Sequence, residues 1–437
     1  MFKFNVEKLE IQLKQHVGAP CKAIVEVGDH VKRGQLVAVP QGLGANIHAS
    51  LSGVVEEITE SAVFLKLDKE QTEDYVRLPK AESYLDRIKD AGIVGLGGAG
   101  FPSGIKFSTK IEGGYVIINA AECEPILSHN IKFVEEHPEV LVRGLKYMVE
   151  ITGAKIGYVA IKTKYRKALL AIGKACKDEP LVEVKILPDM YPAGDERVII
   201  REVLNQVLEI GQLPLEANAT VTNVETVKRV VEAIEDDKPL IDKDLTVSGR
   251  VQKENSVFFD VPLGLPVKEF IQAAGGYVHP HGEIVMGGPF TGKSTTEDTP
   301  ILKMTGGLLV AMPYPKGKEK VGILICECGA QEARLREIAE GMGSEVVSVH
   351  MCKRMKPDKN GRYRCELPGI CPGQAEKVLK MKKDGAQAVI AGTCQDWTNT
   401  VSGVAPRLGV SVYHSTDHVL RSVGHDLYRK YKSIIKK

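Results

Sequence analysis

The chain has 437 residues, and its 58 basic and 56 acidic side chains leave a net charge of +2. With 43% hydrophobic and 26% charged residues, the composition is typical of a folded protein of several domains. It excludes a disordered chain and the strongly basic balance of a nucleic-acid-binding domain. No apolar run approaches the roughly 20 residues of a membrane span, and residues 1–5 start no signal-peptide pattern, so we expect a cytoplasmic protein without direct membrane insertion.

Residues 1–80 contain short strand-like segments separated by turns, at Ala23–Val27, Gln35–Val39 and Gly53–Ile58. The arrangement resembles the barrel-sandwich hybrid of biotinyl and lipoyl carriers. Those carriers need an exposed lysine in a hairpin turn, whereas the corresponding turn here is Pro40–Gly44, which has none. We therefore predict a structural module and not a carrier.

Residues 81–240 alternate short β-branched runs with helical periodicity, which indicates an α/β domain. One helix is predicted to begin at Thr222–Glu225, which fits a capping box with Glu225 as the capping acid. Residues 241–315 predict two strands followed by a helix, typical of a small β-grasp insert. Strand and helix patterns alternate again in residues 316–437, which predicts a mainly parallel sheet.

A glycine-rich segment runs from Gly95 to Lys106, with no bulky side chain between Gly97 and Gly100. Bare backbone amides can approach an anion there, and Lys106 can neutralise its charge. An ordinary glycine-rich turn explains the segment alone equally well.

Polar residues follow several predicted strands, at Asn119–Pro125, Tyr191–Glu196 and Thr222–Thr226. Amides and carboxylates past strand ends suit the hydroxyls of a ribityl or ribose chain and the polar edge of a flavin ring. Solvated loop acids and helix caps are the alternative for each segment taken singly.

Four segments of the chain, in this order, are similar to the flavin and NADH site of the flavoprotein subunit of respiratory complex I and of the C subunit of the Rnf electron-transport complex: Gly95–Phe107, Asn119–Pro125, Gly194–Glu196 and Asn223–Thr226. The Rnf likeness also includes the barrel-sandwich, the β-grasp stretch and Met286–Pro289. It therefore covers roughly residues 18–313.

This resemblance implies FMN as cofactor and NADH as electron donor. It places the FMN phosphate over Gly97, Gly98, Ala99 and Gly100, with Lys106 nearby. It places the ribityl chain or ring against five further residues: Asn119, Glu122, Glu196, Asn223 and Thr226. Ala121 and Arg197 depart from the complex I pattern, which has an aspartate and a threonine there, and these departures bear more on NADH specificity than on flavin binding.

The segment Gly287–Ser294 matches the Walker A phosphate-loop pattern literally. A working phosphate loop opens a helix, whereas Ser294–Pro300 is rich in β-branched residues and ends in proline. A P-loop nucleotide hydrolase is thus an alternative function, but the sequence after the motif does not predict the helix that such a loop requires.

Six of the nine cysteines lie between Cys326 and Cys394. The odd total and the absence of a signal peptide predict reduced thiols. Because parallel strand ends share one edge of a sheet, we expect Cys328, Cys352 and Cys394 to converge, with Cys371 close by. Buried structural cysteine is the interpretation for Cys21 and Cys176.

The convergent set predicts a redox centre with Cys394, Cys328 and Cys371 as its reactive residues. This centre is either an iron–sulfur cluster or a thiol of low pKa. Cys394 is the candidate for such a thiol, because it precedes a predicted helix start at Gln395–Trp397. The predicted cluster ligands are Cys326, Cys328, Cys352, Cys371 and Cys394. Zinc is a further option, although the spacing contains no C-x-x-C pair.

The tail resembles, more loosely, cysteine modules of heterodisulfide reductase electron-transfer subunits, through Cys326–Gly329, Cys371–Gln374 and Cys394. A flavin core of the Rnf type joined to such a tail resembles the electron-transfer proteins associated with D-proline reductase. Some of those carry selenocysteine, for which Cys394 is the candidate equivalent position.

The predicted fold is a multidomain α/β protein with four parts: a barrel-sandwich hybrid (1–80), an FMN-binding domain (81–240), a β-grasp domain (241–315) and a cysteine-rich parallel module (316–437). The predicted function is electron transfer from NADH through FMN and the cysteine centre to D-proline reductase or another redox protein, with no nucleic-acid partner. An Rnf-type subunit, a nucleotide hydrolase and a scaffold with a vestigial flavin site are the alternatives.

Overall fold

A computed structural model of the chain describes residues 2–394 and 398–428. The amino-terminal part forms an antiparallel sheet in the order β1-β7-β6-β3 and a second in the order β2-β4-β5. Leu9 and Ile11 alternate along β1 with more exposed neighbours, so one face of each strand fills the shared core. The strands are β1 (Lys8–Gln12), β2 (Lys22–Ala23), β3 (His30–Val31), β4 (Leu36–Val39), β5 (Ile47–His48), β6 (Gly53–Ile58) and β7 (Ala62–Leu67).

The strand predicted at Ala23–Val27 is much shorter than expected. Only Lys22 and Ala23 pair with β4, and the side chains of Ile24 and Val27 are exposed. The chain turns at Gly28, whose φ of 97° lies in the left-handed region that glycine adopts without strain. A β-branched run therefore gave the wrong strand length here.

The middle domain is a parallel four-stranded sheet in the order β10-β9-β8-β11. Its strands are rich in buried Val, Ile and Ala because helices cover both faces. Its elements are α1 (Tyr84–Asp90), α2 (Ser103–Ser108), β8 (Tyr115–Ala120), α3 (His129–Glu136), α4 (Pro138–Thr152), β9 (Ile156–Lys162), α5 (Arg166–Ala175), β10 (Val182–Leu187), α6 (Glu196–Leu204), a 3-10 turn (Pro214–Ala217), β11 (Ala219–Asn223) and α7 (Val224–Glu235).

The capping box predicted at Thr222–Glu225 is wrong by one residue. Asn223 is the N-cap of α7, and its side chain accepts a bond of 2.9 Å from the amide of Glu225. The Glu225 carboxylate turns away from the helix start and pairs with Arg229 and Lys243. Lys243 is 18 residues away in the chain and on another element, so the pattern does not reveal that partner, and the capping role was the simpler expectation.

A buried charge network joins α7 to the next sheet. Lys228 and Arg229 both pair with the Asp244 carboxylate, at 2.9 and 2.8 Å. The Glu225 carboxylate also accepts the amide proton of Asp244 at 2.7 Å. Removing one member would leave a buried charge without its partner, which costs roughly 3–5 kcal/mol.

Residues 242–310 form a mixed sheet in the order β13-β12-β16-β14-β15. β12 and β16 are parallel neighbours, and the other pairs are antiparallel. The β-grasp name stays a prediction for this part. Its elements are β12 (Asp242–Gly249), β13 (Ser256–Pro262), α8 (Val267–Ala273), β14 (Ile284–Met286), β15 (Lys293–Thr295) and β16 (Gly307–Val310).

The carboxy-terminal part is a parallel sheet in the order β18-β17-β21-β22, with a short hairpin of β19 and β20 beside it. The chain leaves β17 toward β18 and later returns to β21 on the other side, so a topological switch point lies between β17 and β21. Its elements are β17 (Lys320–Ile325), α9 (Glu332–Gly341), β18 (Glu345–Met351), β19 (Met355–Pro357), β20 (Tyr363–Cys365), α10 (Ala375–Lys383), β21 (Ala388–Gly392), α11 (Thr398–Val404), a 3-10 turn (Pro406–Leu408), β22 (Ser411–His414) and α12 (Asp417–Ser422).

Among the helices of residues 2–394 and 398–428, none combines the length and the apolar character that crossing a membrane requires.

Candidate functional site

The glycine-rich loop is held from two sides at the carboxyl edge of the middle sheet. The amide of Leu96 donates to the Thr226 hydroxyl on α7 at 3.0 Å. The amide of Val17, in the amino-terminal part, donates to the Gly100 carbonyl at 3.0 Å. Thr226 is buried, so it anchors the loop from beneath.

Between these anchors the loop turns its backbone outward. Gly97, Gly98 and Ala99 are exposed, and the amides of Gly97, Ala99 and Gly100 form no backbone hydrogen bond within the described residues. A Cβ placed on Gly97 would lie 2.4 Å from Asn223 Nδ2, whereas one on Gly98 would meet nothing within 4 Å. The loop therefore approaches Asn223 closely while leaving several donors available to an anion.

Lys106 and Glu196, both predicted from sequence, form an ion pair of 2.7 Å. Lys106 lies on α2 behind the loop, and Glu196 is the first residue of α6. The pair is partly exposed, so a bound ligand can reach both side chains.

Asn119 organises the loops that follow β8 and β10. Its Nδ2 donates to the Gly194 carbonyl at 3.0 Å, and its Oδ1 accepts the Ala121 amide at 3.0 Å. The Gly194 amide in turn donates to the Cys123 sulfur at 3.3 Å. The polar segments predicted after two different strands thus meet at one place.

Glu122 lies beyond Ala121 in a left-handed conformation, with φ of 34°. Its carboxylate accepts a bond of 3.0 Å from Asn130 Nδ2. Burial raises the pKa of Glu122 to about 7, and the bond from Asn130 opposes that rise. The side chain can therefore exchange a proton near neutral pH.

The residues present at this edge fit FMN. The loop offers unbonded amides and the Lys106 ammonium for a phosphate, and Asn119, Glu196 and Asn223 lie around it with polar side chains. Thr226 differs from expectation in that its hydroxyl is already used to hold the loop. Contact of each residue with the ribityl chain or ring stays a prediction.

A cluster of thiols lies at the carboxyl edge of the last sheet. Cys326 and Cys328 follow β17, Cys352 follows β18, and Cys365 ends β20. Hydrogen bonds link Cys326 to both Cys328 and Cys352, and Cys328 to Cys365. All four side chains are buried.

The bonds within this cluster separate the pKa values of its thiols. The bonds that Cys326 receives from Cys328 and Cys352 hold the pKa of Cys326 well below its usual range. The same bond to Cys326 raises the pKa of Cys328. The pKa of Cys365 is lowered as well, by its hydrogen bond with Cys328, and a lowered pKa favours the thiolate, which is the nucleophilic form of cysteine.

Cys371 and Cys394, both predicted to be reactive, lie at the border of this cluster. The Gln374 side-chain amide donates to the Cys352 sulfur at 2.9 Å and to the Cys371 sulfur at 3.8 Å. Cys394 is buried after β21 and belongs to the same apolar cluster as Cys328. The helix start predicted at Gln395–Trp397 lies outside the described residues.

Cys365 is the member that sequence reasoning did not assign. It lies on a hairpin and not at the end of a parallel strand, so the rule that parallel strand ends share one edge does not predict its position. The only available signal was its inclusion among six cysteines in one segment. Within residues 2–394 and 398–428, no group of three or more His, Cys, Asp or Glu side chains is disposed to hold a metal ion.

The middle domain contacts the thiol cluster through Arg197, the second residue of α6. Its guanidinium donates to the Cys365 carbonyl at 2.8 Å and to the Glu327 carboxylate at 3.3 Å. Glu327 stands between Cys326 and Cys328 and also accepts bonds from the Cys365 amide and Arg364. The arginine that departs from the complex I pattern is thus one contact between α6 and the tail, and Arg201, which donates to the Pro368 carbonyl at 2.9 Å, is another.

An aromatic pair fills the space between the two edges. Tyr191 and Phe290 stack with ring centroids 3.6 Å apart and planes 7° apart. Both rings belong to the apolar cluster that includes Cys328 and Cys394, against which Cys123 also packs. The flavin-site loops and the thiols therefore share one continuous core.

The Walker-like segment Gly287–Ser294 does not form a phosphate loop. Its last two residues, Lys293 and Ser294, begin strand β15, where a nucleotide-binding loop would open a helix. The amides of Phe290 and Thr291 donate to the Glu124 carboxylate at 2.8 and 2.9 Å. An internal carboxylate thus occupies the donors that a nucleotide phosphate would use.

Comparison with known proteins identifies two domains. Residues 88–232 match the model of the Nuo51 FMN-binding domain, and residues 4–72 match the RnfC barrel sandwich hybrid domain. The multidomain α/β fold with these two parts is thereby confirmed.

Among curated relatives, the cobalamin reductase PduS of Citrobacter freundii is 37% identical over 235 residues, which are 53% of this chain and 50% of that protein. The chain thus spans about half the length of that reductase. A solved structure of an NAD+-reducing [NiFe]-hydrogenase in the air-oxidized state gives a TM-score of 0.45 at 22% identity, covering 53% of this chain and 47% of that one.

The C subunit of the proton-translocating ferredoxin:NAD(+) oxidoreductase complex of Clostridium ljungdahlii is 32% identical over 325 residues, which are 69% of this chain and 70% of that protein. Its counterpart in the Na(+)-translocating complex of Acetobacterium woodii is 31% identical over 325 residues, which are 69% of this chain and 73% of that protein. With an FMN-binding domain behind the same barrel sandwich, the chain belongs to the RnfC family of electron-transfer oxidoreductase subunits.

Proposed function

We propose that the protein is an electron-transfer flavoprotein that oxidises NADH at FMN in the middle domain and delivers the electrons through the carboxy-terminal thiol cluster to a redox protein. The observation that carries this proposal is the start of α6. Its first residue, Glu196, pairs with Lys106 beside the glycine loop, and its second, Arg197, bonds to Glu327 and Cys365 in the thiol cluster. Two adjacent residues therefore connect the two redox edges.

FMN, when bound, accepts a hydride from a nicotinamide and can pass electrons on singly or in pairs. The chain supplies the phosphate donors of the glycine loop and fixes their position through Thr226 and Val17. The Lys106 ammonium balances the phosphate charge while Glu196 keeps the lysine in place. NADH as the donor is supported by the resemblance to the complex I and Rnf sites.

The thiol cluster suits a two-electron centre. A disulfide between Cys326 and Cys328 would take up two electrons and two protons to become a dithiol, and the reverse reaction would return them to an oxidised acceptor. The hydrogen bonds of Cys326 with Cys328 and Cys352 favour thiol chemistry. An iron–sulfur cluster held by Cys326, Cys328, Cys352, Cys371 and Cys394 is the alternative expected from the sequence. The thiol centre is preferred because, among the described residues, no three such side chains are disposed to hold a metal ion.

We propose D-proline reductase as the acceptor and the cytoplasm as the site of the reaction. The acceptor rests on the resemblance of the tail, with Cys371–Gln374 and Cys394 at its centre. A nucleotide hydrolase is not proposed, since Glu124 occupies the amides of the Walker-like segment.

An anaerobic visible spectrum, recorded before and after addition of NADH, tests the function. The protein should show a flavin band that bleaches on addition of NADH. Iron and sulfide analysis of the same sample separates the two candidate centres, because only the cluster contains either element. A colourless protein that takes up no flavin on reconstitution would contradict the proposal.

Lys106→Ala should lower FMN content, because it removes the ammonium beside the glycine loop. Lys167→Ala, which replaces an exposed lysine on α5, is the matched control and should retain FMN like the unmodified chain. FMN is measured per chain after desalting. Equal content in both variants would argue against the assigned phosphate site.

A further inference from the structure

The hairpin of β19 and β20 begins and ends at the thiol cluster. Cys352 precedes it, and Cys365 is the last residue of β20. We call residues 353–366 the basic hairpin. The base of the hairpin therefore lies beside two cysteines of the cluster, and its turn lies at the far end of the two strands.

The basic hairpin carries far more positive charge than the chain around it. It has six basic side chains against two acidic ones, whereas the whole chain has a net charge of only +2. The basic residues are Lys353, Arg354, Lys356, Lys359, Arg362 and Arg364.

Two of these cations face solvent outside any ion pair. Lys353 pairs with Glu376 at 2.6 Å, Lys356 with Glu366 at 2.7 Å, and Arg364 with Glu327 at 2.7 Å. Lys359 and Arg362 are exposed at the turn and make no ion pair within the part of the chain that the structure describes.

Apolar surface accompanies this charge. The Tyr363 side chain is 49% exposed and that of Met351 is 39% exposed. Both line a groove of about 450 Å³ whose lining includes Ile325 and Glu327, the residues on either side of Cys326. Arg362 and Arg364 line the same groove, together with Glu327 and Glu332, and Arg364 pairs with Glu327, so Arg362 is the lining cation outside an ion pair. Aromatic and methionine side chains beside such a cation are typical of a protein-binding surface.

We propose that the basic hairpin and this groove dock the electron acceptor, a redox protein with an acidic surface around its own redox centre. This inference rests on the proposed function, because it assigns the exit for electrons that leave the thiol cluster. The cations of the basic hairpin attract a carboxylate-rich partner, and Tyr363 and Met351 provide the desolvated centre of the contact. The partner's centre would then lie beside Cys352 and Cys365, on the cysteine side of the α6 contact.

A nucleic acid would also respond to a cluster of cations. The position of the hairpin at the cysteines favours a redox protein, and a net charge of +2 differs from the strongly basic balance typical of a nucleic-acid-binding domain. The two partners predict different results in one binding assay.

Binding is measured with the full chain immobilised in its oxidised state, so that NADH turnover is not required. The probe is an acidic ferredoxin, and basic cytochrome c and a single-stranded oligonucleotide are the comparison ligands. The double variant Lys359→Glu and Arg362→Glu is set against Lys167→Glu and Lys174→Glu, which reverses two exposed charges on α5. Melting temperature and FMN content of both variants check that the fold is retained.

The acidic ferredoxin should bind the unmodified chain, and added salt should weaken that binding. The hairpin double variant should bind about tenfold or more weakly, as expected for loss of steering charges, while the α5 variant changes by less than about twofold. The neutral variant Lys359→Ala and Arg362→Ala should fall between them. Equal loss in both charge-reversal variants, no binding of the acidic protein, or tighter binding of the oligonucleotide would overturn the docking surface.

The assay also separates this inference from the proposed function. If the protein binds the acidic carrier through the hairpin but shows no bleaching with NADH, the docking surface stands and the proposed function fails. If NADH bleaches the protein but the hairpin variant binds like the unmodified chain, the docking surface alone fails.

Discussion

The glycine-loop edge and the thiol edge occupy the same position in two parallel sheets, yet they differ in exposure. At the first, Gly97, Gly98 and Ala99 are exposed, and the amides of Gly97 and Ala99 form no backbone hydrogen bond within the described residues. At the second, four thiols are buried and linked by hydrogen bonds: Cys326, Cys328, Cys352 and Cys365. An open edge with unbonded donors is accessible to a ligand from solvent, whereas the buried edge would, in the proposed function, receive electrons from its neighbour.

The contact between these edges explains why they coexist in one chain. Arg197 and the stacked rings of Tyr191 and Phe290 hold the closed edge against the open one. Flavin binding and thiol chemistry should therefore be separable by mutation, and transfer between them should depend on the contact.

Cys328→Ser should give the largest effect. The Cys328 thiol is hydrogen-bonded to both Cys326 and Cys365, so its replacement removes the thiol that links these two residues. Transfer from NADH to a protein acceptor should fall by about 100-fold or more, the scale expected when a reactive group is removed. FMN content and bleaching by NADH should be unchanged.

Cys176→Ser is the matched control, because Cys176 is a buried cysteine outside both edges. It should retain transfer to the acceptor, which a dye-coupled or protein-coupled assay measures. If Cys328→Ser transfers electrons from NADH to the acceptor at the normal rate, the thiol edge has no separate role in electron transfer.

Gly97→Ala tests the open edge. A Cβ there would lie 2.4 Å from Asn223 Nδ2, so the loop or Asn223 must move. We expect the free energy of unfolding to drop by about 1–3 kcal/mol, as for other overpacked sites, and FMN to be lost. Chemical denaturation of the flavin-free chain measures the first effect.

Gly98→Ala provides the comparison, because its Cβ would meet nothing within 4 Å. The free energy of unfolding of the flavin-free chain should change by less than about 0.5 kcal/mol. Equal destabilisation by the two substitutions would contradict the loop geometry.

Arg197→Ala should weaken the contact between the edges while leaving each one intact. It removes the bonds to the Cys365 carbonyl and to Glu327. Transfer to the acceptor should slow by about tenfold, the loss expected for a partly buried charge-assisted bond, with FMN content unchanged. Arg197→Lys should restore part of the rate of electron transfer to the acceptor. If Arg197→Ala transfers electrons as fast as the unmodified protein, the Arg197 contact has no role in the transfer.

The smallest effect is expected from Glu122→Gln, through the pH dependence of stability. Burial raises the pKa of Glu122 to about 7 in the folded chain, above the ordinary glutamate value of 4.5. The folded state therefore binds more protons than the unfolded state between these values, and this contribution to stability is complete below pH 4.5 and lost as pH rises through 7.

Denaturation of the flavin-free chain at several pH values measures this contribution. The difference in unfolding free energy between the unmodified chain and Glu122→Gln should shift toward the variant as pH rises from 4.5 to 7. A difference that does not vary with pH would show that Glu122 does not titrate in this range.

The motif-bearing parts of the open edge were predictable because each is a local segment. The glycine loop, Asn119–Pro125 and Gly194–Glu196 are short runs whose residues imply a function, and the α/β pattern brings strand ends together. The pairing of Lys106 with Glu196 and the anchoring role of Thr226 depend on segments distant in sequence, so neither follows from composition or spacing.

The closed edge was predictable only in part. The rule that parallel strand ends share one edge predicted that Cys328 and Cys352 lie together. Cys365 lies on a hairpin, to which that rule does not apply. The docking role of Arg197 was invisible, since it joins residues far apart in the chain. The strand predicted at Ala23–Val27 is shorter than expected, and its last two residues belong to a turn in which the Asp29 amide donates to the Glu26 carbonyl at 3.1 Å.

An anaerobic titration with NADH that counts reducing equivalents per FMN tests the central claim most directly. If electrons pass from FMN to the thiol cluster, protein whose Cys326–Cys328 pair has first been oxidised to the disulfide should consume about two NADH per FMN before the flavin band is fully bleached, one for each two-electron centre. In Cys328→Ser the count should fall to about one. A count of one NADH per FMN in both proteins would contradict the account.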